Sequence, residues 1–215
     1  MKEASDPSSS SIAVIVLAAG GSRRMNEPKQ FLEFEGKTLL RRAVETACES
    51  VYEPIFVVLG ANFEKAKAEI EDLPVEIVFN RDWQTGLSSS IKAGVENLLQ
   101  KAPEIAACII MLCDQPFVSA HHLNLFAEKF AQTKEEVISA KYDRTRGVPA
   151  LFSRDCFHEL TSLSGDRGAK NVIEKHSDSL SSIDLPEAAF DIDTPEDLRK
   201  AVSVQRSAFS KKSDS

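Results

Sequence analysis

The sequence has few of the residues that build disulfide or zinc proteins. Its 215 residues contain only four cysteines, at positions 48, 108, 113 and 156, with no CxxC pair and no metal-ligand spacing. We therefore expect reduced, structural cysteines. The four histidines have no matching acidic or cysteine cluster along the chain, so the sequence predicts no zinc site.

Long apolar runs and an excess of basic charge are also absent. The apolar runs are about nine residues long, whereas a membrane span needs roughly 18. Residues 1–11 are polar and serine-rich, unlike a signal peptide. The formal net charge of -7 and pI near 5.2 argue against a nucleic-acid or membrane-surface binder. We expect a cytoplasmic protein that holds any anion through a local basic cluster.

What the chain does contain is enough apolar material for a sizeable core. With 42% hydrophobic residues in 215, one larger domain is expected over residues 11–205. The polar segments 1–10 and 206–215 are expected to be disordered tails.

Apolar strands alternate with amphipathic helices along most of the chain. Strands are predicted at 11–19, 55–59, 75–79, 106–112 and 137–140, with 147–152 as an edge strand because Pro149 cannot donate to a ladder. Helices are predicted at 37–51, 64–72, from 86, from 119, at 157–163, 169–176 and 194–202. This order predicts an α/β fold with a Rossmann-like, doubly wound and mostly parallel sheet. In such sheets ligands bind beyond the carboxyl ends of the strands.

The first strand runs into a loop rich in glycine and basic residues, from Gly20 and Gly21 to Arg24 and Lys29. Backbone N–H groups and cations in such a loop can bind a phosphate. The G-x-G-x-x-G dinucleotide-binding motif is incomplete here, because the third glycine is missing. A P-loop ending at Gly36-Lys37-Thr38 is also incomplete, because Phe31 occupies the position of its first glycine. The remaining alternative is an ordinary turn with solvated arginines.

Further polar groups follow other predicted strands. Asp114 emerges from a buried strand, where it can ligate Mg²⁺ or cap a turn. Asp191 and Asp193 form a second acidic cluster before the last helix. Three serines, 88–90, begin a helix after Gly86 and can bond a base or a phosphate. The Gly168-Ala169-Lys170 segment is a weaker candidate for a second anion, since a solvated lysine is the more common explanation of such a segment.

Six segments occur in an order that resembles the MobA-like nucleotidyltransferases. They are LAAGGSRRM with Pro28-Lys29, WQTGLSSSIKAG, LCDQP, GVPALF, SGDRGAK and DIDTPEDL. The resemblance covers residues 12–202 and is nearest to the molybdenum cofactor cytidylyltransferase branch and its xanthine dehydrogenase accessory relatives. It implies a GT-A-like fold that binds a nucleoside triphosphate with Mg²⁺ and transfers the nucleotide to a phosphorylated acceptor, with release of pyrophosphate.

The resemblance also implies roles for individual residues. Arg24, Lys29 and Asp114 would be catalytic, and Asp114 with Asp193 would hold Mg²⁺. The implied nucleotide-binding residues are Leu17, Ala18, Ala19, Gly20, Gly21, Ser22, Arg24, Lys29, Asn80, Gly86, Ser88, Ser89 and Asp114. The implied acceptor-binding residues are Gln115, Gly147, Pro149, Gly168 and Lys170. Asn26 replaces a glycine that commonly follows Arg-Met in the family, and asparagine tolerates left-handed geometry.

The expected activity is transfer of CMP from CTP to the molybdopterin cofactor, for a possible molybdenum hydroxylase client, with no nucleic-acid or membrane partner. The alternatives are transfer to another small phosphorylated acceptor, a non-catalytic accessory that delivers the cofactor, and a nicotinamide-dependent oxidoreductase. The missing third glycine disfavours the last of these.

Overall fold

The computed structural model describes residues 11–21 and 28–213, with residues 206–213 given by their backbone alone. Nine strands lie in the described ranges, and seven of them form one sheet. They are β1 (Ile12–Ala18), β2 (Glu33–Phe34), β3 (Lys37–Thr38), β4 (Ile55–Leu59), β5 (Glu76–Phe79), β6 (Ala107–Leu112), β7 (Val137–Tyr142), β8 (Thr145–Ser153) and β9 (Ser181–Asp184).

The large sheet has the strand order β5-β4-β1-β6-β8-β7-β9, and β2 pairs with β3 in a separate hairpin. All neighbouring pairs in the large sheet are parallel except the two that involve β8, which is antiparallel to both β6 and β7. The predicted mostly parallel, Rossmann-like sheet is therefore confirmed.

The prediction that β8 is an edge strand is wrong. β8 lies inside the sheet, between β6 and β7. Its pairing with β7 steps from Ser139 opposite Ala150 to Ala140 opposite Gly147, which leaves Val148 and Pro149 in a bulge. The pairing with β6 stops at Ala150. A bulge frees Pro149 from donating to the ladder, so an interior strand can contain it.

Seven α-helices connect and cover these strands within the described residues. They are α1 (Leu39–Cys48), α2 (Phe63–Ala68), α3 (Leu87–Lys101), α4 (Ala120–Thr133), α5 (Phe157–Thr161), α6 (Lys170–Lys175) and α7 (Pro195–Ser213). None of them combines the length and the apolar character needed to cross a membrane. The predicted cap of α4 is confirmed, because the Ser119 side chain accepts from the backbone N–H of His122.

The last helix is longer than the sequence predicted. α7 continues to Ser213, past the predicted end at Val202 and into the segment expected to be a disordered tail. After Pro195 the segment holds no glycine or proline and many good helix formers, so nothing in its composition stops the helix.

The sheet is buried on both faces, as the apolar run of β1 predicted. Along β1, Ile12, Val14 and Val16 belong to one core cluster. Ala13, Ile15 and Leu17 belong to the other. This period-2 division places helices on both sides of the sheet. A third, smaller cluster joins the β2–β3 hairpin to α7 through Phe34, Leu39, Ile192 and Ala201.

Candidate active site

A cavity of about 400 Å³ lies beyond the carboxyl ends of β1 and β6. The first residues after both strands and the beginning of α3 form its walls. Its lining is Leu17, Ala18, Ala19, Gly20, Gly21, Lys29, Gln30, Trp83, Gln84, Gly86, Leu87, Ser90, Leu112, Cys113, Asp114 and Asp166. The position matches the ligand-binding edge of doubly wound sheets.

The glycine loop contributes the backbone of one wall. Leu17, Ala18, Ala19, Gly20 and Gly21 all line the cavity, and their role in nucleotide binding stays a prediction. A Cβ on Gly21 would stand 2.8 Å from the Trp83 ring, so glycine is what allows that indole to pack against the loop. The expected phosphate-binding residues Ser22 and Arg24, together with Asn26, lie outside the described residues.

Asp114 follows β6 and lines this cavity. It is only 5% exposed, and its Oδ2 forms an ion pair with Lys29. Its Oδ1 is buried and accepts no hydrogen bond from any described residue. The backbone N–H of Ile192 donates to the Asp114 carbonyl at 2.9 Å, which ties this turn to the segment before α7. A buried carboxylate oxygen with spare acceptor capacity is a suitable ligand for a hard cation.

Lys29 bridges the two acidic segments that the sequence singled out. Its Nζ donates to Asp114 and, at 2.8 Å, to Asp193 Oδ1. Burial lowers the pKa of Lys29, but the charges and hydrogen bonds of Asp114 and then Asp193 outweigh it and raise the pKa above its usual value. Lys29 is therefore held as a cation, and the two carboxylates can share one positive charge.

Asp191 adds a third carboxylate to this group. Burial, and then the charge of Asp114, raises the pKa of Asp191 to about 6, with a smaller contribution from Asp193. Next to them, Thr194 accepts from the backbone N–H of Asp197 at 3.2 Å, and its own N–H donates to the Asp197 carboxylate at 3.0 Å. This confirmed cap fixes the end of the acidic segment. Three carboxylates against one lysine leave an excess of negative charge that fits a divalent cation.

The serine side chains at the start of α3 mostly form hydrogen bonds with residues of neighbouring loops. Asn80 donates from Nδ2 to the hydroxyls of Ser89 and Ser90 at 2.8 and 3.0 Å. The Ser88 hydroxyl donates to the Gly165 carbonyl, and Ser89 donates to Gly86 and Asp82 carbonyls. The cavity is lined by Ser90 and Gly86 but not by Asn80, Ser88 or Ser89. These three side chains therefore stabilise the loops next to the cavity and do not line it themselves.

Gly86 must be a glycine for two independent reasons. Its φ is +115°, a backbone conformation that other residues rarely adopt. A Cβ would also stand 2.5 Å from the Gly165 carbonyl oxygen. The loop at 165 therefore packs directly against the beginning of α3, which brings Asp166 to the cavity.

A second cavity of about 250 Å³ adjoins the first and shares Leu17, Leu87 and Leu112 with it. Three of the expected acceptor-binding residues line it, namely Gly147, Gly168 and Lys170. Gln115 and Pro149 do not. The buried Gln115 amide instead donates to the Val148 and Ala188 carbonyls at 3.1 and 2.9 Å.

Several lining residues were missed from the sequence. Trp83 and Leu87 lie within the WQTGLSSS segment, and proximity to Gly86 was the available signal. Gln30, whose amide donates to the Ala61 carbonyl at 3.2 Å, had none. A third cavity of about 340 Å³ is lined by Lys141, Arg144, Arg146 and Lys170, among others. Lys141, Arg144 and Arg146 lie within six residues of one another, a basic cluster that the sequence could have indicated. Lys170 joins them from α6.

One further grouping places a histidine beside a cysteine and a glutamate. Glu136, Cys156 and His176 each place a ligand atom within 4.8 Å of the others. These residues are far apart along the chain, so their spacing carried no signal of a cluster. Only the packing of β7, β8 and α6 brings them together.

The chain is similar over most of its length to several known proteins. The chain is 30% identical over 204 residues to the purine catabolism protein PucB of Bacillus subtilis (strain 168), covering 88% of this chain and 96% of PucB. It is 29% identical to nicotine blue oxidoreductase of Paenarthrobacter nicotinovorans, covering 86% and 93%. It is 24% identical to the molybdenum cofactor cytidylyltransferase of Escherichia coli (strain K12), covering 88% and 94%.

Among solved structures, Rv0371c of Mycobacterium tuberculosis H37Rv is similar with a TM-score of 0.79 and 25% identity, covering 91% of this chain and 99% of that one. A complex of Rv0371c with manganese matches with a TM-score of 0.74, also at 25% identity, covering 88% and 97%. The family model of the MobA-like NTP transferase domain matches residues 14–180. The chain therefore belongs to the MobA-like NTP transferase family and is a nucleotidyltransferase of that family.

Proposed function

We propose that this protein transfers CMP from CTP to the phosphate of the molybdopterin cofactor, with Mg²⁺ bound by Asp114 and Asp193. The observation that carries the proposal is the Asp114–Lys29–Asp193 group at the cavity between the glycine loop and α3. Support for the base and the acceptor comes from the 24% identical relative named molybdenum cofactor cytidylyltransferase.

The backbone of the glycine loop receives the triphosphate in this proposal. The N–H groups of a strand-to-loop turn are suited to phosphate oxygens. Lys29, and Arg24 outside the described residues, add positive charge on that side. The bound Mg²⁺ would screen the negative charges of the phosphates.

In this proposal the acceptor occupies the second cavity, which shares Leu17, Leu87 and Leu112 with the first. Lys170 supplies positive charge there. A terminal phosphate on the acceptor is already an anionic nucleophile, so attack on the α-phosphorus needs in-line positioning and charge screening more than a base. The P–O bond to the acceptor forms as the bond to pyrophosphate breaks.

Substitution of Asp114 tests the proposal. We expect Asp114→Asn to fold normally and to lose metal-dependent pyrophosphate release by at least about 100-fold, because one stabiliser of the phosphate charge is gone. Asp193→Asn, at an exposed position, should show a smaller loss of the same kind. The matched control is Asp72→Asn, a surface carboxylate paired with Arg41 that lines none of the cavities described.

The same assay separates catalysis from cofactor delivery. A protein that only delivers the cofactor would bind it without releasing pyrophosphate from CTP. If a well-folded Asp114→Asn variant turned over at the wild-type rate, the proposed role of Asp114 in metal binding would be wrong. Turnover with another phosphorylated acceptor but not with molybdopterin would support nucleotidyl transfer and would contradict molybdopterin as the acceptor.

A further inference from the structure

We propose that Cys156, His176 and Glu136 form a zinc-binding site, separate from the nucleotide cavity, in which Glu159 holds the imidazole in place. Cys156 ends the turn after β8, His176 follows α6, and Glu136 directly precedes β7. None of the four lines the cavities described above. The proposal does not depend on the proposed function.

The donor set suits zinc better than magnesium. One thiol, one imidazole and one carboxylate provide sulfur, nitrogen and oxygen ligands, which is the mixture that zinc accepts, whereas magnesium prefers oxygen alone. Cys156 is 1% exposed, while the Glu136 side chain is 54% exposed. The site is therefore anchored in the core on its sulfur side and open to solvent on its carboxylate side, where an ion can enter.

The separation between the histidine and glutamate ligand atoms matches that of a tetrahedral site. His176 Nδ1 lies 3.4 Å from Glu136 Oε2. Zinc with nitrogen and oxygen ligands at about 2.0–2.1 Å in tetrahedral geometry places these two atoms about 3.3–3.4 Å apart. Cys156 Sγ is within 4.8 Å of its partners, and a zinc-bound sulfur needs about 3.5 Å. A contraction of at most about 1.3 Å on the sulfur side completes three ligands.

The other imidazole nitrogen makes the contact that ligating histidines usually make. His176 Nε2 lies 3.0 Å from Glu159 Oε1, and the Glu159 carboxylate also accepts from Lys175 at 2.7 Å. A carboxylate on the far nitrogen fixes the ring orientation and its tautomer, leaving Nδ1 to face a metal.

The thiol of Cys156 already faces the other ligands. Its Sγ donates to the Glu136 carbonyl at 3.6 Å, and the side chain of the buried Ser153 hydrogen-bonds the same thiol. The sulfur is therefore held beside Glu136, and zinc binding would replace these hydrogen bonds of the thiol with a sulfur–zinc bond.

Binding breaks the S–H bond of Cys156 and forms a sulfur–zinc bond, with the proton released to solvent. Zinc affinity should therefore rise with pH, since the thiol must lose its proton. The bound ion would link the beginning of β7, the end of β8 and the end of α6. Because it binds the folded state, it should raise the thermal unfolding temperature.

The experiment uses the full chain, stripped of metal with a chelator and titrated with ZnCl₂ against a chromophoric zinc chelator. We expect one zinc per chain and a higher unfolding temperature with zinc but not with Mg²⁺. Cys156→Ser, His176→Gln and Glu136→Gln should abolish this binding. Glu159→Gln should weaken it by about 10- to 100-fold.

Three controls keep the result interpretable. His158→Gln removes an exposed α5 histidine whose ring bonds the Asp155 carbonyl, and it should bind zinc as the wild type does. Asp193→Asn should also keep zinc, which excludes binding at the acidic segment. Substitution with Co²⁺ should give a thiolate-to-metal charge-transfer absorption that Cys156→Ser lacks.

Two results would overturn the proposal. One is a wild-type chain that binds no zinc at micromolar concentration. The other is unchanged binding in folded His176→Gln and Glu136→Gln. If Cys156→Ser fails to fold, Glu136→Gln still decides the matter, because that exposed side chain can change without disturbing the core.

Discussion

At the scale of single residues, Lys29 connects the two acidic segments. Its ammonium group contacts Asp114 and Asp193, which lie far apart in the sequence. Its raised pKa keeps it charged, so the cavity retains one fixed cation beside an excess of carboxylates. In the proposed function, this cation allows negatively charged side chains and the phosphates of a nucleotide to occupy neighbouring positions.

Gln115 gives a prediction at this scale. Replacing it with methionine, of similar size, leaves the Val148 and Ala188 carbonyls without the amide that bonds them. We expect Gln115→Met to lower the free energy of unfolding by about 1–3 kcal/mol, measured by urea denaturation. Gln132→Met, on the exposed side of α4, is the control and should change little. Unchanged stability with a raised KM for the acceptor would instead support the sequence-based role in acceptor binding.

At the scale of elements, the residues of the candidate active site lie at the beginnings and ends of helices and strands. The backbone N–H of Cys113 donates to the Leu17 carbonyl at 3.3 Å, which couples the ends of β1 and β6. The N–H of Asn80 donates to the Leu59 carbonyl at 2.8 Å and couples β5 to β4. These strand ends hold the glycine loop, the start of α3 and Asp114 along one edge of the sheet.

Helix α1 gives a pH-dependent prediction. Burial raises the pKa of Glu45, but hydrogen bonds from Lys37 and then Arg41 outweigh it, so the folded-state pKa is lowered overall. A lowered pKa contributes stability above the unfolded-state value of about 4.3 and loses it as the pH falls. Glu45→Gln should therefore cost about 0.5–1 kcal/mol near neutral pH.

The difference between Glu45→Gln and the wild type should disappear in acid, as measured by urea unfolding at several pH values. Glu49→Gln is the control, since Glu49 forms no ion pair with any described residue. A difference that stays constant down to low pH would mean that the ion pairs contribute nothing and that packing explains the loss.

At the scale of the whole molecule, the sheet divides into two parts with different tasks. The parallel strands β5, β4, β1 and β6 carry the glycine loop and Asp114. Beyond them, β7, β8 and the start of α6 contribute walls of the second and third cavities. Antiparallel β8 joins the parts, and α7 closes the molecule against the β2–β3 hairpin. The first and second cavities share Leu17, Leu87 and Leu112, which come from β1, α3 and β6.

A nucleotide panel tests this arrangement on the intact protein. With Mg²⁺, CTP should raise the unfolding temperature more than GTP, ATP or UTP, because a ligand that binds only the folded state stabilises it according to its affinity. At 100 times its Kd the gain is about 2.7 kcal/mol. Removing Mg²⁺ or substituting Asp114→Asn should abolish the shift. A larger shift of the unfolding temperature with another nucleotide would contradict the preference for CTP, although it would still support nucleotide binding at this site.

The sequence by itself determined the alternation of strands and helices, the two-sided burial of β1 and the edge at which the glycine loop and Asp114 meet. These depend on local periodicity and on strand order, which the residues carry directly. Only the tertiary structure decided that β8 lies inside the sheet, that Gln115, Asn80 and Ser88 bond neighbouring loops, and that Glu136, Cys156 and His176 meet. Such contacts join residues distant in sequence, and their energies depend on packing that no local pattern encodes.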